Sequence, residues 1–438
     1  MNTVTQTLLA LALAVPSISY ANDATLFNVT SSGTPAEVHI TLCGNGTIPF
    51  TCENFTVTGL TLSIVTTTNA VYDKAGIIVR TPGYTIENLG IDCELYSTGY
   101  CGFTVSKDSP KTITLNGGET AKAATNLYVA NLYSSPVILM CPLDPSTQLI
   151  DGPCVSAIGD STGPITTELY VDSIALNEAG NRAYLAMYDE ANFYQCDVAP
   201  STGLLINCSY PQGSLSSSST PFNTYYSMIA LYPNGGADTY AYLIDYTNET
   251  IEACPITGGV MSGSCTRTLP LSPADPIYSY STGIAFNQLG SQSYAYIGSY
   301  DEGYVAVCPI NSPTSFGSCN YITGYGTDGD TFNEPSGLAF NPINQLLYIA
   351  DYDDDVVYAC DSAQASSTTF ESCVTAGPVD DAWGIVINTQ GTMVYVSNYD
   401  GDVYQCPIDP MNGIKFVVAG CTALSGFDEP VGMALGYN

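Results

Sequence analysis

The chain has 438 residues, a hydrophobic content of 45% and a formal net charge of −33 at pH 7. This length and apolar content exclude a disordered chain and allow two or three domains with buried cores. The negative charge argues against nucleic acid and anionic lipid as partners, and it favours cations or basic proteins.

The first 21 residues have the pattern of a signal peptide. The apolar run TLLALALAVPSISYA ends in a small-x-small cleavage site, Ser19-Tyr20-Ala21, which makes Asn22 the first mature residue. The run is too short to span a bilayer comfortably, and no later segment approaches a membrane span. We therefore predict an exported protein, periplasmic or extracellular, with no integral membrane segment in the mature chain.

Residues 22–116 contain seven short segments that alternate apolar and polar residues, from ATLFNVTS at Ala24 to KTITLNG at Lys111. Short β-rich segments separated by Gly, Pro and Asn turns predict an immunoglobulin-like β-sandwich. The stretch 117–125 (GGETAKAAT) has neither periodicity nor bulky side chains, so it is predicted to be a linker.

The rest of the chain, residues 126–438, is built from repeats. The stretch YIADYDDDVVYAC, which begins at Tyr348, recurs as YLAMYDEANFYQC, YLIDYTNETIEAC, YIGSYDEGYVAVC and YVSNYDGDVYQC, and a less regular copy begins at Tyr128. Their first cysteines are 55, 58, 54, 52 and 46 residues apart. This period is near the length of a four-stranded propeller blade, so six blades are predicted.

Sixteen cysteines in an exported chain indicate disulfides. In each repeat a second cysteine follows the first by 11 to 15 residues, which predicts one bond per blade between its third and fourth strands. The predicted pairs are Cys141 with Cys154, Cys196 with Cys208, Cys254 with Cys265, Cys308 with Cys319, Cys360 with Cys373, and Cys406 with Cys421. The other four, Cys43, Cys52, Cys93 and Cys101, most simply pair in sequence order.

The two ends of the repeat region complement each other. It begins at Tyr128 with the second strand of a blade and finishes with PVGMALGYN, a first strand that lacks its successors. The C-terminal strand is therefore predicted to be the innermost strand of the first blade, which closes the ring and leaves no open edge.

The units GLAFNPINQLLYIADYDDDVVYAC and GIVINTQGTMVYVSNYDGDVYQC resemble NHL and YVTN-type propeller repeats. That resemblance covers the last 310 residues or so and implies a β-propeller. For function it is weak, because such propellers include lactonases, lyases and binding proteins. The whole arrangement also resembles exported, disulfide-rich propeller proteins of Legionella-like bacteria, a resemblance that implies no activity.

A candidate ligand site follows from the residue three positions before the apolar start of each innermost strand. This position should line the mouth of the central channel, and it holds Tyr170, Tyr225, Tyr280, Glu334, Asp381 and Glu429. A rim that is half aromatic and half acidic could hold a cationic ligand, and Glu334, Asp381 and Glu429 could ligate Ca²⁺. Asp353, Asp354 and Asp355 are interpreted as turn residues. Trp383, beside Asp381, is interpreted as blade packing.

The sequence argues against most catalytic chemistry. Residues 126–438 contain no histidine, no cysteine left unpaired and only three cationic side chains, which removes the usual general base, a thiolate nucleophile and partners for anionic substrates. We predict a monomeric, non-catalytic binding or interaction protein that uses the acidic, tyrosine-rich face of the propeller. The alternatives are a Ca²⁺-dependent hydrolase or lactonase with its site at the channel mouth, and a structural envelope or matrix component.

Overall fold

The computed structural model describes the backbone of nine strands between residues 24 and 117 and most of residues 124–437 with side chains. The gaps in the second part are residues 133–134, 160–164, 166–169, 178, 189–192, 210–225, 234–238, 246–249, 262–264, 269–280, 290–291, 326–329, 362–369, 371–372 and 410–413. Side chains are not described at residues 226, 233, 239, 281, 288–289, 325, 330 and 418. The chain divides into two compact units, residues 1–121 and 122–438.

The first unit contains two sheets. Its strands are β1 (Ala24–Ser32), β2 (Val38–Gly44), β3 (Thr51–Val57), β4 (Thr61–Thr66), β5 (Tyr72–Val79), β6 (Tyr84–Glu87), β7 (Glu94–Leu95), β8 (Cys101–Val105) and β9 (Lys111–Gly117). The sheet orders are β4-β1-β9-β6 and β3-β2-β5-β8-β7. Cys43 and Cys52 are opposite each other in the β2–β3 ladder. The packing of an immunoglobulin-like sandwich and the pairing of the first four cysteines lie outside the described residues and stay predictions.

The described strands of the second unit form six blades. Those of the first three blades are β10 (Asn126–Asn131), β11 (Ile138–Pro142), β12 (Val155–Ser156); β13 (Val171–Leu176), β14 (Arg182–Met187), β15 (Phe193–Val198), β16 (Leu205–Ser209); β17 (Tyr226–Pro233), β18 (Thr239–Asp245), β19 (Thr250–Thr257), β20 (Val260–Met261) and β21 (Thr266–Arg267). In blade 3 the outermost strand is split, since β20 and β21 both pair with β19.

The remaining blades follow the same pattern. Their strands are β22 (Ser281–Leu289), β23 (Gln292–Ser299), β24 (Tyr304–Ser312), β25 (Ser315–Phe316), β26 (Asn320–Ile322); β29 (Pro335–Phe340), β30 (Leu347–Asp351), β31 (Val356–Cys360), β32 (Cys373–Pro378); β33 (Ala382–Ile387), β34 (Met393–Asn398), β35 (Asp402–Pro407), β36 (Thr422–Ser425) and the closing strand β37 (Pro430–Gly436). A hairpin of β27 (Gly324–Tyr325) and β28 (Asp330–Thr331) separates blades 4 and 5, and a 3₁₀ turn spans Val418–Gly420.

The predicted closure of the ring is confirmed. Strand β37 pairs antiparallel with β10, so the first blade has the order β37-β10-β11-β12 from the inside outwards. Each innermost strand also contacts the innermost strands of the two neighbouring blades, in the cyclic order β37, β13, β17, β22, β29, β33. Because the last strand of the chain completes the first blade, no blade interface is left open.

A buried tyrosine in the second strand of each blade ties neighbouring blades together. Tyr128, Tyr184, Tyr242, Tyr296, Tyr348 and Tyr395 are all under 2% exposed. The Tyr184 hydroxyl donates to Gly259 O at 2.9 Å and that of Tyr242 to Pro313 O at 2.7 Å, each in the next blade. Tyr348 bonds to Ile414 O in the same way, and Tyr395 reaches Gln148 O in blade 1. The hydroxyl therefore satisfies a carbonyl that blade stacking removes from water.

The innermost strands approach each other so closely that several require glycine. A β-bulge near the start of each innermost strand shifts its register against the second strand. Within the bulge, a Cβ on Gly384 would lie 2.1 Å from Val431 O, and one on Gly337 would lie 2.3 Å from Trp383 O. Glycine is thus required in the repeated G-[IL]-[AV] pattern because the backbones of neighbouring innermost strands approach each other closely around the channel, and not because the chain turns there.

The six disulfides predicted for the blades are confirmed. Each joins the third strand of its blade to the outermost strand or to the residues just before it, with Cα–Cα distances of 4.0–4.2 Å. Among the described residues no cysteine is free. None of the described helices is long and apolar enough to cross a bilayer.

Candidate functional site

Four of the six residues predicted at the channel mouth are described by the structure, and they occupy one equivalent position. Tyr170, Glu334, Asp381 and Glu429 each directly precede an innermost strand: β13, β29, β33 and β37. Tyr225 and Tyr280 precede β17 and β22 in the chain but lie outside the described residues. We call the face that carries this position the mouth face; it also carries the connections from the second to the third strand of each blade.

Backbone hydrogen bonds hold this position against the end of the second strand. Tyr352 N donates to Glu334 O at 3.0 Å, and Tyr399 N donates to Asp381 O at 3.1 Å. The same bond joins Tyr188 N to Tyr170 O and Leu132 N to Glu429 O. Because the bond is equivalent in these blades, the residue that follows the second strand lies beside the predicted mouth residue.

That neighbouring residue is a tyrosine in blades 2 to 6, although the one in blade 3, Tyr246, lies outside the described residues. Three of these tyrosines form an aromatic patch with Trp383. We define the patch as Tyr300, Tyr352, Trp383 and Tyr399, all partly exposed. Ring centroids of Trp383 lie 5.3 Å from Tyr300, 5.7 Å from Tyr352 and 5.1 Å from Tyr399. The rings meet in tilted and edge-to-face geometries, which are favourable for aromatic pairs.

Trp383 lies across the mouth of the channel. It belongs to β33 in blade 6, yet its ring meets Tyr300 of blade 4 and also packs, with Tyr399, against the apolar core shared by blades 1 and 2. Tyr170 and Tyr188 pack against the same core from blade 2. The side chain interpreted as blade packing is therefore a central part of the mouth.

The acidic side chains of the mouth are hydrogen-bonded to the patch. Tyr300 donates its hydroxyl to Glu334, and Tyr352 donates to Asp381. Burial, reinforced by these carboxylates, raises the pKa of both tyrosines. The two phenols therefore stay protonated at neutral pH and act as hydrogen-bond donors.

Asp381 also shares a hydrogen bond with Asp400. Burial is the largest cause that raises the pKa of Asp381, followed by the hydrogen bond and the charge of Asp400, with a further contribution from Asp355. The charge of Asp400 favours protonation of Asp381, and only a protonated carboxyl group can donate a hydrogen bond to the other. The pair thus places two close acidic groups next to Trp383.

Two other carboxyl groups near the channel have few partners. The Oε2 atom of Glu429 is buried and has no hydrogen-bond partner among the described residues. Asp172, the second residue of β13, is 7% exposed, and burial raises its pKa well above the ordinary value.

No set of three acidic, histidine or cysteine side chains within the described residues could hold a metal ion. Glu334, Asp381 and Glu429 are therefore not brought together as one set of ligands.

The acidic turn of blade 5 has a structural role. Asp351, which is fully buried, accepts hydrogen bonds from the backbone N–H groups of Asn333, Glu334 and Asp354. Burial raises its pKa to about 6 despite these bonds. Asp355 has a left-handed φ of 55° and accepts a bond from Asp381 N, while Asp353 is exposed. Asp351 and Asp355 therefore link the β30–β31 connection to the segments that precede β29 and β33. Such side-chain bonds to backbone N–H groups are typical of aspartates in turns.

Basic side chains lie elsewhere on the propeller. Arg182 is at the start of β14, on the opposite side of the blade, and pairs with Asp197 at 2.8 Å. Lys415 lies in the connection before β36, also opposite the mouth, and Arg267 is on the outermost strand of blade 3. Arg267 is opposite Glu252 at the outer edge of its blade. Among the described residues, the inner part of the mouth face around Trp383 carries carboxylates and aromatic rings without a compensating cation.

Sequence reasoning found the position of the mouth but missed the patch. It selected the residue before each innermost strand, whereas the exposed rings come from the residue after each second strand. The signal was present: the tyrosine motif contains two tyrosines, and the second directly precedes the acidic turn in YDEG, YDDD and YDGD. Their separation by four residues in a strand gave no indication of which was buried, because residues i and i+4 lie on the same side.

The fold and this site define a disulfide-bonded, six-bladed β-propeller with an aromatic and acidic mouth. No family model and no curated protein matches the chain, so the resemblances to NHL-type repeats and to Legionella-like exported proteins are not confirmed.

Solved structures show only a distant likeness. A chain of a nidogen–laminin complex has 10% identity and a TM-score of 0.49 and covers 71% of this chain and 98% of its own. A functionally unknown protein from Desulfotomaculum acetoxidans has 14% identity and a TM-score of 0.42 over 70% and 83% of the two chains. A luciferin-regenerating enzyme has 10% identity and a TM-score of 0.38 over 60% and 78%. At this level of sequence identity and structural similarity, no activity of these proteins is assigned to this chain.

Proposed function

We propose that this chain is an exported, non-catalytic binding protein whose ligand surface is the mouth face of the propeller. One observation carries the proposal: the partly exposed patch around Trp383 lies at the centre of the acidic face. Tryptophan and tyrosine are enriched at binding surfaces because they contribute a large contact area with little loss of conformational entropy.

The rest of the molecule supports this proposal. A disulfide in every blade suits an oxidising compartment, which favours export. The ring of blades presents the mouth on a rigid scaffold, so little ordering free energy is lost when a ligand binds. The side chains at the mouth supply aromatic contacts and hydrogen-bond acceptors, and these suit recognition.

The sole tryptophan of the chain provides a direct test, because its fluorescence reports on the patch alone. The oxidised mature protein is screened against peptide and glycan arrays, and each hit is titrated while Trp383 emission is recorded. We expect a saturable change in emission and weaker binding by Asp400→Asn. Asp151→Asn, an exposed carboxylate in the β11–β12 connection on the opposite face, is the matched control. Hits that leave Trp383 unchanged and are insensitive to Asp400→Asn would place binding elsewhere and overturn the proposal.

A further inference from the structure

The chemistry of the mouth identifies the kind of ligand. We infer that the aromatic patch docks basic side chains of a partner protein, with a lysine or arginine side chain lying over Trp383 and against Asp381 and Asp400. This inference rests on the proposed function and adds the chemical class of the partner.

The rings provide the first part of the argument. An ammonium or guanidinium group is attracted to the face of an aromatic ring, most strongly to tryptophan. Trp383 is partly exposed and is surrounded by three tyrosines with centroids 5.1–5.7 Å away. Tyr300 and Tyr352 direct their hydroxyls to Glu334 and Asp381. These two hydroxyls are therefore already engaged, and the rings themselves are the remaining recognition elements.

The uncompensated charge provides the second part. Residues 123–438 hold 32 acidic residues and three basic ones; Arg182 and Lys415 lie opposite the mouth face, and Arg267 lies on the outermost strand of blade 3. A basic side chain from a partner would supply the compensating charge and would donate hydrogen bonds to the accessible carboxylates of this face.

The breadth of the acidic surface favours a protein over a small amine. Acidic residues extend over the mouth connections of blades 4, 5, 6 and 1: Asp301, Glu302, Glu334, Asp353, Asp354, Asp355, Asp380, Asp381, Asp400, Asp428 and Glu429. A single small cation would contact only a few of them. A partner segment with several basic residues would match the whole surface and would be steered towards it.

The Asp381–Asp400 pair adds a dependence on protons. A proton taken up by this pair would compete with the ligand cation for the same carboxylate oxygens. The titratable groups that face the pair are Asp355 and Tyr352, and Glu334 faces Tyr352 in turn. All are acids, so lowering the pH neutralises the site and should weaken binding.

The test uses the oxidised mature chain and a short lysine-bearing peptide, with Trp383 emission as the readout. We expect saturable binding that weakens as salt is raised, that weakens from about pH 7 to about pH 5, and that is lost when the lysines are acetylated. Asp381→Asn and Asp400→Asn should each weaken binding about tenfold, whereas Asp151→Asn should leave it unchanged. Asparagine tolerates the left-handed φ of 46° at Asp381, so this variant retains the local backbone.

The alternative outcomes are separable. No saturable binding of the peptide, or equal losses in Asp151→Asn and Asp400→Asn, would overturn the inference. Equal binding of the acetylated peptide with a change in Trp383 emission would overturn the basic partner but keep the mouth as the ligand surface. Spermidine binding as tightly as the peptide would assign the site to a small amine instead of a protein. Binding that leaves Trp383 unchanged and is insensitive to both mouth variants would overturn the proposed function as well.

Discussion

At the residue scale, one motif uses its two tyrosines in different ways. The first, such as Tyr348, is fully buried and bonds to the next blade, whereas the second, such as Tyr352, is partly exposed at the channel mouth. The same residue type thus contributes to stability at one position and to the candidate ligand surface at the other. Their roles are distinguished by what each hydroxyl contacts.

We predict that Tyr242→Phe destabilises the propeller by about 1–2 kcal/mol, because it keeps the ring but leaves Pro313 O without its donor. The ring contacts with Phe286 and Phe316 are retained in this variant. Urea unfolding followed by circular dichroism measures the change. Tyr404→Phe, which removes a hydroxyl without a hydrogen bond among the described residues, is the control. Equal effects of the two variants would contradict the role of the inter-blade bond.

We predict that ionisation of the buried Asp351 lowers the free energy of unfolding of the propeller as the pH rises. Its folded pKa of about 6 lies above the ordinary 3.8, so its stabilising effect is complete at low pH and is lost as the pH rises through about 6. The loss between about pH 4 and pH 7 should be roughly 2–3 kcal/mol for this group. Asp351→Asn should flatten the dependence of the unfolding free energy on pH, and the exposed Asp353→Asn should not. An unchanged pH dependence in Asp351→Asn would refute the assignment.

At the scale of the strand, the innermost strands are limited by how closely they approach. Glycine lies in the bulge or directly after it in four blades, where a Cβ would meet the neighbouring backbone, while blades 2 and 3 have Ser173 and Met228 at that position. The predicted repeat pattern contained these glycines but not their reason. Contacts between strands of different blades, rather than local turn geometry, impose them.

We predict that Gly384→Ala destabilises the propeller by about 3 kcal/mol, because its Cβ would lie 2.1 Å from a backbone oxygen that cannot move without distorting β37. Ser173→Ala is the matched control, since that position already carries a Cβ, and its cost should be about 1 kcal/mol or less. Melting temperatures of the two variants measure the difference. If Gly384→Ala melts with the parent, the inner ring is wider than described.

At the scale of the whole molecule, charge and ring closure together shape the candidate ligand surface. The closed ring brings the innermost strands of six blades around one mouth, and nearly all of the net charge lies on the propeller. Asp381 and Glu334 are therefore close to rings of neighbouring blades, Tyr352 and Tyr300, that are distant from them in the sequence. Among the described residues, the mouth is formed by the aromatic patch, and Glu334 and Asp381 are hydrogen-bonded to its tyrosines.

We predict that Ca²⁺ produces no saturable rise in the melting temperature of the oxidised mature chain relative to EDTA. Glu334 and Asp381 each accept a hydrogen bond from a tyrosine hydroxyl, and a bound ion would have to displace these hydroxyl donors. The triple variant Glu334→Gln/Asp381→Asn/Glu429→Gln is the comparison. A saturable rise in the parent that vanishes in this variant would establish an ion site through linkage and would favour the alternative hydrolase.

The sequence by itself determined the number of blades, the closure by the C-terminal strand and the six blade disulfides. These features depend on repeat length and chain order, which are visible in one dimension. It also placed Glu334, Asp381 and Glu429 directly before innermost strands, because the spacing from each strand is local; their role in a ligand site stays a prediction.

Only the tertiary structure decided which aromatic residues form the mouth. Trp383 meets Tyr300 across the channel, and no spacing in the chain relates side chains of blades 6 and 4. The bulge at the start of each innermost strand changes the side of the strand to which the following side chains point. A one-residue change in register therefore determines whether a side chain is packed or exposed. The close approach of Asp381 and Asp400 likewise depends on two connections meeting in space.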